Sequence, residues 1–487
     1  MKKLTHQHYL AIGGMIIVLV FSFFTYFHNY QNPPNLFWDE NYFIASAYKY
    51  INGSFFMEPH PPLGKLLIAA GELIFKPNVK LATTSFINTD YIKDIPAGFS
   101  FVGMRFFPAL TATLSAGLFY LILLLILKNP VLAGLFSGLY LFDNALIVHS
   151  RGAMLDSIQI FFFLATLTWF FYLIERKKYT LRHYLILGIL IGLALSVKLN
   201  SWILLLLIPI CFYFEVKQKK IKVWELISIA IDRVFIVTIL ILIIFLGTYY
   251  LHIRLANKVV NNNYYEATEP YKKILNQKKT SNLINAPLMI RDQILFIPHY
   301  EKGVPVYDAC KADENGSQPW TWPFGNKTIN YRWDKSGDKV RYLYLQANPI
   351  IWGTGILSII FSVVLLLSKL IFGLKIKDKR LYQILMIILS LYCAYMFSIL
   401  TLKRVMYLYH YFLPLLLSLI SSGALFSYFY HDQIIKRKWL IYGGASFFVI
   451  VVFLCFIIFS PFTYYQSLTT AQFQLRNWFS WWHLKSI

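Results

Sequence analysis

The sequence predicts an all-α integral membrane protein with about eleven transmembrane helices and two long loops between them. Of its 487 residues, 57% are hydrophobic and only 14% are charged, and the mean hydropathy is +0.53. These values exclude an ordinary soluble protein. Apolar runs recur along the whole chain, so the excess is not one signal peptide or anchor. The aromatic content of 18% suits aromatic belts at both membrane interfaces.

The predicted spans follow from runs of roughly 17–25 apolar residues, the length that crosses a bilayer. Three of them, 131–147, 184–197 and 200–214, are short, and the last two are nearly continuous. The eleven predicted spans are 8–28, 102–127, 131–147, 157–174, 184–197, 200–214, 226–251, 347–368, 383–400, 407–430 and 439–461.

The charges of the short connections predict the orientation of the chain. With the N-terminus in the cytoplasm, the short inner connections hold 19 Lys and Arg residues and the short outer ones hold 4. This asymmetry is typical of multispanning proteins. The net charge of +23 is therefore mainly a topology signal, and no zinc finger, P-loop or RNA-binding signature points to nucleic acid. We expect a multi-pass protein of the cytoplasmic (inner) membrane.

The same orientation places both long loops on the extracytoplasmic side. It divides the chain into an N-terminal membrane half 1–251 with the first outer loop 29–101, a loop domain 252–346, and a C-terminal membrane half 347–487 with an outer tail. Long polar loops usually carry the functional residues of a helical bundle. We therefore expect the active site on the outer side.

Two adjacent carboxylates, Asp39 and Glu40, open the first outer loop directly after the first span. Next to Phe37 and Trp38 they can form an acid/base site in a partly apolar setting, or they can be a solvated loop start. Further along, three prolines surround His60, and an apolar amphipathic stretch follows them. This pattern predicts a rigid corner leading into a helix on the membrane surface.

These residues belong to a longer series of motifs. The motifs follow one another along nearly the whole chain, and in this order the sequence resembles the protein O-mannosyltransferase family. Members of this family are multispanning enzymes of the GT-C class that use polyprenyl-phosphate mannose. The resemblance depends on Asp39-Glu40, His60-Pro61-Pro62-Leu63-Gly64-Lys65, Met104-Arg105-Phe106-Phe107-Pro108, Asp143-Asn144-Ala145-Leu146, Ser150-Arg151, Leu155-Asp156-Ser157, Ser196-Val197-Lys198, Pro319-Trp320-Thr321-Trp322-Pro323, Asn348-Pro349 and Tyr409-His410-Tyr411-Phe412-Leu413-Pro414.

The resemblance implies a role for each charged residue of these motifs. Asp39 is expected to be the general base beside the acceptor hydroxyl, and Glu40 is expected to position the peptide or the base. Cations must hold the departing phosphate as negative charge builds on it. The implied phosphate ligands are Arg105, Arg151, Lys198, Lys403 and Arg404.

The remaining matched residues are expected to support the site, namely His60, Lys65, Asp156, His410, Trp320 and Trp322. Simpler structural roles compete with these: Arg151 with Asp156 suits an interfacial ion pair, and Lys403 with Arg404 suits cations at a span end. Lys198 has no acid close to it in sequence. We expect no metal and no cofactor, because no set of ligands for either is visible.

Together these features predict a glycosyltransferase that moves mannose from polyprenyl-phosphate mannose to Ser or Thr of secreted or membrane proteins, with inversion at the anomeric carbon. Its partners are the lipid donor, a protein or peptide acceptor and membrane lipids, without nucleic acid. The segment 252–346 is too short for the β-trefoil repeats of eukaryotic members, which suggests a compact bacterial type. One alternative is a related GT-C enzyme that transfers another lipid-linked sugar to lipid A or a glycan. A more distant alternative is a transporter.

Overall fold

The computed structural model describes residues 6–177, 179–219, 223–311 and 314–487. The chain forms two compact units, each made of segments that are discontinuous in sequence. Unit 1 comprises Met1–His28, Thr113–His149 and Val306–Ile487, and unit 2 comprises Asn29–Ala112 and Ser150–Pro305. The predicted loop domain 252–346 is thus divided between the units. The inner charges counted at Lys2, Lys3, Lys178 and 220–222 lie outside the described residues.

Helices make up most of the described chain. The α-helices are α1 (His6–Ser22), α2 (Glu40–Asn52), α3 (Leu63–Phe75), α4 (Val102–Leu127), α5 (Pro130–Leu141), α6 (Asn144–Ser150), α7 (Leu155–Arg176), α8 (Leu181–Leu195), α9 (Leu207–Lys219), α10 (Val223–Ala230), α11 (Ile236–Leu255), α12 (Glu269–Asn276), α13 (Ala286–Gly303), α14 (Pro349–Phe372), α15 (Lys379–Leu400), α16 (Phe412–Lys436), α17 (Lys438–Thr463) and α18 (Thr470–Gln474). Shorter 3₁₀ turns span Thr84–Asn88, Leu199–Leu206, Leu283–Asn285, Pro319–Phe324, Leu408–Tyr411 and Ser480–Trp482, and π-helical turns span Phe23–Phe27 and Ile231–Phe235.

The predicted multispanning fold is confirmed, with a refined number of spans. Nine helical segments in the described ranges are long and apolar enough to cross a membrane. The predicted span 131–147 is instead the bent pair α5 and α6, and the predicted span 184–197 is the shorter apolar helix α8. The nine are His6–Phe27, Val102–Leu127, Leu155–Arg176, Leu199–Lys219, Trp224–Leu255, Pro349–Phe372, Lys379–Leu400, Leu408–Lys436 and Lys438–Thr463.

Buried polar side chains account for the break between α5 and α6, which differ in direction by 64°. Asp143 lies at the break and accepts hydrogen bonds from the backbone N–H of Leu146 at 2.8 Å and from the Trp352 indole at 2.8 Å. The next side chain, Asn144, donates to the Thr463 hydroxyl at 2.8 Å. A straight apolar helix would leave these polar groups without partners, so the expectation of one continuous span is wrong here.

Unit 1 also contains a small antiparallel sheet, which the sequence analysis did not predict. Its strands, in the order β1-β2-β3, are β1 (Ile329–Ser336), β2 (Lys339–Leu345) and β3 (Ser467–Leu468). The tight turn after β1 contains Gly337 with φ +63°, a conformation that favours glycine. Alternate β2 side chains Val340, Tyr342 and Tyr344 pack on the end of α17 in one apolar cluster.

Two features of unit 2 position its polar residues. The helix predicted after the prolines is α3, which buries Gly64, Lys65 and Gly71 and exposes Leu73 and Ile74. A side chain on Gly71 would collide with the carbonyl of Gly103 in α4, so the two helices cross closely there. A separate apolar cluster supports the segment between α11 and α13; it is built around Phe55, Met57, Ile253, Ala267, Tyr271, Leu275 and Met289.

Candidate active site

Asp39 is the residue immediately before α2, and its backbone carbonyl begins that helix. The carbonyl oxygen accepts from the N–H groups of Tyr42 at 3.0 Å and Phe43 at 3.2 Å. The side chain is half-buried. The preceding residue, Trp38, has a left-handed φ of +52°, which is uncommon for a bulky residue and found mostly where surrounding contacts impose it. The chain therefore turns sharply to present the Asp39 carboxylate.

Glu40 is fully buried and its two carboxylate oxygens accept four hydrogen bonds. Oε1 accepts from Arg105 Nε at 2.6 Å and from the backbone N–H of Ala153 at 2.7 Å. Oε2 accepts from Arg105 Nη2 at 2.8 Å and from the backbone N–H of Phe37 at 3.2 Å. All the hydrogen bonds of this carboxylate go to groups of the protein itself, so it holds Phe37, Arg105 and Ala153 together. This geometry agrees with a positioning role for Glu40.

All five N–H groups of Arg105 are also engaged, and the residue is 0% exposed. Besides Glu40, its guanidinium donates to the backbone carbonyls of Gln31, Pro33 and Asn35 at 2.7–2.8 Å. The Phe101 ring lies 3.9 Å from its central carbon. Holding a lipid phosphate, the role implied for Arg105, would require it to give up at least one of these bonds. In this structure it ties residues 31–40 to the start of α4.

Lys198 and Asp156 form an ion pair at 2.8 Å, and both side chains are about nine-tenths buried. Asp156 lies in the first turn of α7, and Lys198 directly precedes the 3₁₀ turn Leu199–Leu206. Lys198 has no acid close to it in sequence, and the structure pairs it with Asp156, 42 positions earlier. Arg151, the expected partner of Asp156, donates to the backbone carbonyl of Asn29 at 2.5 Å.

The His60 to Lys65 motif brings a second buried cation into unit 2. The N–H of Leu63 donates to the Ser196 carbonyl at 3.0 Å, which docks α3 beside the Lys198 segment. A side chain at Gly64 would meet Leu155 Cδ2 at 2.8 Å, so this contact requires glycine or a local shift. His60 is partly exposed, and its ring lies 6.4 Å from that of Phe43.

Lys65 forms an ion pair with Glu58, and its ammonium lies 5.5 Å from the centre of the Phe43 ring. Burial lowers the pKa of Lys65 well below its usual value, and repulsion from Lys49 and Lys198 lowers it further. Lys65 and Lys198 are thus close enough to repel each other. An anion beside them would relieve that repulsion.

The other implied site residues lie in unit 1. Trp322 is fully buried, donates to the Ser317 hydroxyl at 2.9 Å and stacks on His410, with ring centres 6.1 Å apart. Trp320 is 64% exposed. Lys403 is exposed, and Arg404 forms an isolated backbone bridge with Val306.

Two residues with defined contacts received no role from the sequence. The Glu58 carboxylate holds both Lys65 and the Ser46 hydroxyl, and its only sequence signal is its place just before the His60 motif. His149 is buried in α6, its Nδ1 lies 2.5 Å from the Tyr331 hydroxyl, and its ring stacks on Tyr409 at 4.8 Å. Within the described ranges no three His, Cys, Asp or Glu side chains converge on a point where a metal could bind.

Comparison with known proteins adds the family. Residues 16–257 match the family of dolichyl-phosphate-mannose-protein mannosyltransferases. Residues 302–482 match the C-terminal four-span region of protein O-mannosyltransferases.

Curated relatives agree with this assignment. A Candida albicans dolichyl-phosphate-mannose–protein mannosyltransferase 1 is 30% identical over 277 residues, 53% of this chain and 29% of the relative. A Danio rerio protein O-mannosyl-transferase 2 is 32% identical over 156 residues, 31% of this chain and 19% of the relative. The matched parts thus span less than a third of these relatives.

Solved structures share the fold. The Saccharomyces cerevisiae protein O-mannosyltransferase Pmt1-Pmt2 complex bound to the sugar donor superposes with a TM-score of 0.80 at 15% identity, covering 99% of this chain and 93% of that one. The oligosaccharyltransferase AglB of Archaeoglobus fulgidus gives 0.51 at 12% identity, covering 96% and 58%. The motifs, the two matched regions and this fold agree along nearly the whole sequence. The chain therefore belongs to the dolichyl-phosphate-mannose-protein mannosyltransferase family.

Proposed function

We propose that this protein transfers mannose from polyprenyl-phosphate mannose to Ser and Thr hydroxyls of secreted or membrane proteins. The observation that carries the proposal is the saturated network of Glu40 and Arg105, which fixes the start of α2 directly after the half-buried Asp39. Family membership supplies the chemistry. The relatives named above are mannosyltransferases that act on proteins.

Asp39 is the general base of the proposed reaction. As the acceptor hydroxyl oxygen attacks the anomeric carbon of mannose, its proton passes to the Asp39 carboxylate. The bond between the anomeric carbon and the phosphate oxygen breaks at the same time, and the polyprenyl phosphate leaves with both bonding electrons. A single displacement inverts the anomeric carbon, so a β-linked donor gives an α-linked product. Glu40 stays bound to Arg105 throughout.

Cations of unit 2 are suited to the leaving phosphate. Lys198 and Lys65 repel each other electrostatically, and both are paired with carboxylates that a phosphate could displace as partners. Arg151 lies just before α7, whose first turn carries Asp156. Charge stabilisation of this kind is usually the largest single contribution to group transfer.

The proposed site lies on the extracytoplasmic side of the inner membrane, as the asymmetry of the basic residues in the connections favours. The sugar arrives already activated on its lipid phosphate. The proposed reaction therefore uses no nucleotide sugar at the site, no cofactor and no metal.

The proposal is tested with the purified full chain in lipid nanodiscs. The protein is incubated with polyprenyl-phosphate [³H]mannose and a Ser/Thr-rich peptide, and peptide-bound label is measured. Transfer of label to the peptide by the wild-type protein, and its loss in Asp39→Asn, support the proposal. Transfer of label to lipid A or a glycan, with none to peptide, contradicts the acceptor. No transfer from mannose donors, together with transfer from another lipid-linked sugar, contradicts the donor.

A further inference from the structure

The segment after α17 is folded against the end of that span and against the sheet of unit 1. Trp482 is buried, and its ring centre lies 5.4 Å from that of Phe459 in α17. Its backbone carbonyl accepts from the N–H of Thr328 at 3.0 Å and from the Thr328 hydroxyl at 2.7 Å. The Phe473 ring packs on Tyr342 of β2 at 4.8 Å. We call residues 464–487 the tail, and its position relative to α17 is fixed by these contacts.

The tail holds exposed aromatic side chains at the level where α17 ends. Trp478 is 43% exposed, yet its ring contacts Phe459 at 4.9 Å, only about one turn before the end of the helix at Thr463. Trp481 is 44% exposed, and its indole N–H donates to the backbone carbonyl of Phe324 at 3.3 Å. Tryptophans with one polar end and a large apolar surface prefer the boundary between lipid and water.

Arg476 fixes a positive charge at the same level. Its Nε donates to the backbone carbonyl of Ile458 in α17 at 2.6 Å, and its Nη1 donates to the carbonyl of Gln472 at 2.6 Å. The neighbouring side chains Leu454 and Ile457 of α17 are exposed on the apolar surface of the span. A guanidinium held beside lipid-facing side chains lies where phospholipid headgroups begin.

Further basic side chains surround His483 in the tail. The backbone N–H of Lys327 donates to the carbonyl of Trp481 at 3.0 Å, which places Lys327 beside the tail residues His483 and Lys485. Burial lowers the pKa of His483, and Lys327 and Lys485 lower it further. The side chains of residues 325–345 and 464–487 carry seven positive and two negative charges. Of the two negative ones, Asp338 lies in the hairpin turn, and Asp334 lies in β1, where it pairs with Arg332 and accepts from Tyr465 of the tail. The charged side chains of the tail itself, Arg476 and Lys485, are both basic.

We propose that the tail and its neighbour Lys327 form a binding site for the headgroups of anionic phospholipids. Trp478 and Trp481 insert at the lipid boundary, and Arg476, Lys327 and Lys485 face the phosphate and the anionic headgroup. An anionic lipid is favoured over a polypeptide because the aromatic side chains lie at the end of a span, beside its lipid-facing surface. The site is separate from the proposed transfer reaction and does not depend on it.

Each basic residue near an anionic surface strengthens binding by about fivefold, so two of them together contribute roughly twentyfold or more. The test uses the purified full chain in detergent and short-chain phosphatidylglycerol, with short-chain phosphatidylcholine as the neutral comparison. Bound lipid is counted by native mass spectrometry across a titration. The variant Lys327→Gln/Lys485→Gln is compared with Lys278→Gln/Lys279→Gln, which removes the same charge from an exposed segment of unit 2.

We expect wild type and the Lys278/Lys279 variant to bind phosphatidylglycerol equally and more tightly than phosphatidylcholine, and the Lys327/Lys485 variant to bind it at least tenfold more weakly. Lys485→Gln alone, at an exposed position, should weaken phosphatidylglycerol binding about fivefold. This result does not depend on correct folding of the double variant. Equal affinity for the two lipids in wild type overturns the proposal. Phosphatidylglycerol binding that is unchanged in both Lys327→Gln/Lys485→Gln and Lys485→Gln also overturns it, even if these substitutions weaken peptide binding.

Discussion

Replacing Arg105 with lysine distinguishes two roles for this side chain, holding residues 31–40 in place and binding the lipid phosphate. In the structure Arg105 contacts Glu40 and the carbonyls of Gln31, Pro33 and Asn35, and its five N–H groups are all used. We therefore expect Arg105→Lys to lower thermal stability and the turnover rate while leaving the KM for the lipid donor nearly unchanged.

The magnitude follows from the lost hydrogen bonds. A lysine has three donors on one nitrogen and cannot form the two-pronged contact with Glu40, so at least two of the five bonds are lost. Hydrogen bonds to charged groups contribute about 1.5–3 kcal/mol each, which gives a loss of about 3 kcal/mol or more. If residues 31–40 then shift by about 1 Å, the turnover rate falls by about 10²-fold.

The assay measures melting temperature in detergent and steady-state kinetics with donor and acceptor varied separately. Arg437→Lys, at an exposed position between α16 and α17, is the matched control and should change neither quantity. An increase in donor KM at unchanged melting temperature would refute this reasoning. It would show that Arg105 releases the loop and binds the phosphate during the reaction.

The remaining predictions concern the base, the orientation and a buried acid. Asp39→Asn should lower turnover by about 10²–10⁴-fold with donor binding retained, and a variant that keeps more than half of wild-type turnover contradicts the base assignment. A membrane-impermeant maleimide should label exposed Cys310 in intact cells, with Cys310→Ser as the control. A cysteine introduced at exposed Lys375 should stay unlabelled. The reverse pattern would invert the predicted orientation. Burial raises the pKa of Glu72 in α3, so the folded protein binds this proton more tightly than the unfolded chain does, and this contribution to stability is lost as pH rises above the unfolded pKa. Glu72→Gln should therefore melt at a higher temperature than wild type at neutral pH, and melting curves across pH 4–8 that show no such difference contradict the sign.

Composition and apolar periodicity are sufficient to predict the membrane fold, because the bilayer imposes a minimum length on each apolar span. They fail where a buried polar side chain finds its partner far away in sequence. Asp143 interrupts a span because Trp352, more than two hundred positions later, satisfies its carboxylate. No local pattern contains that information.

The sheet was missed for a different reason. Val340, Tyr342 and Tyr344 alternate as a strand should, and Gly337 marks a tight turn, but the run is short and lies in a loop expected to carry function. The apolar face of this strand is buried only when the end of α17 and the tail cover it. Strand formation here depends on tertiary contacts rather than on local propensity.

For the candidate site, the sequence motifs assign roles to residues but do not predict what those residues contact. Asp39, Glu40 and Arg105 were recognised from their motifs, but the pairing of Arg105 with backbone carbonyls has no sequence signature. The pairing of Lys198 with Asp156 was likewise not expected, because an ion pair between separate helix ends leaves no trace in residue spacing.

The division of the chain into interleaved units has a consequence for its synthesis. Unit 2 is complete once Pro305 has been made, and it contains Asp39, the Glu40–Arg105 pair and the Lys198–Asp156 pair. Unit 1 needs residues from both ends of the chain, so it cannot form until the last spans have been inserted. A ribosome that stops near residue 305 therefore leaves a membrane-bound intermediate whose carboxylate network can already assemble. In it α1 can pack on α5, but α5 still lacks α16 and α17, the later helices that it also contacts.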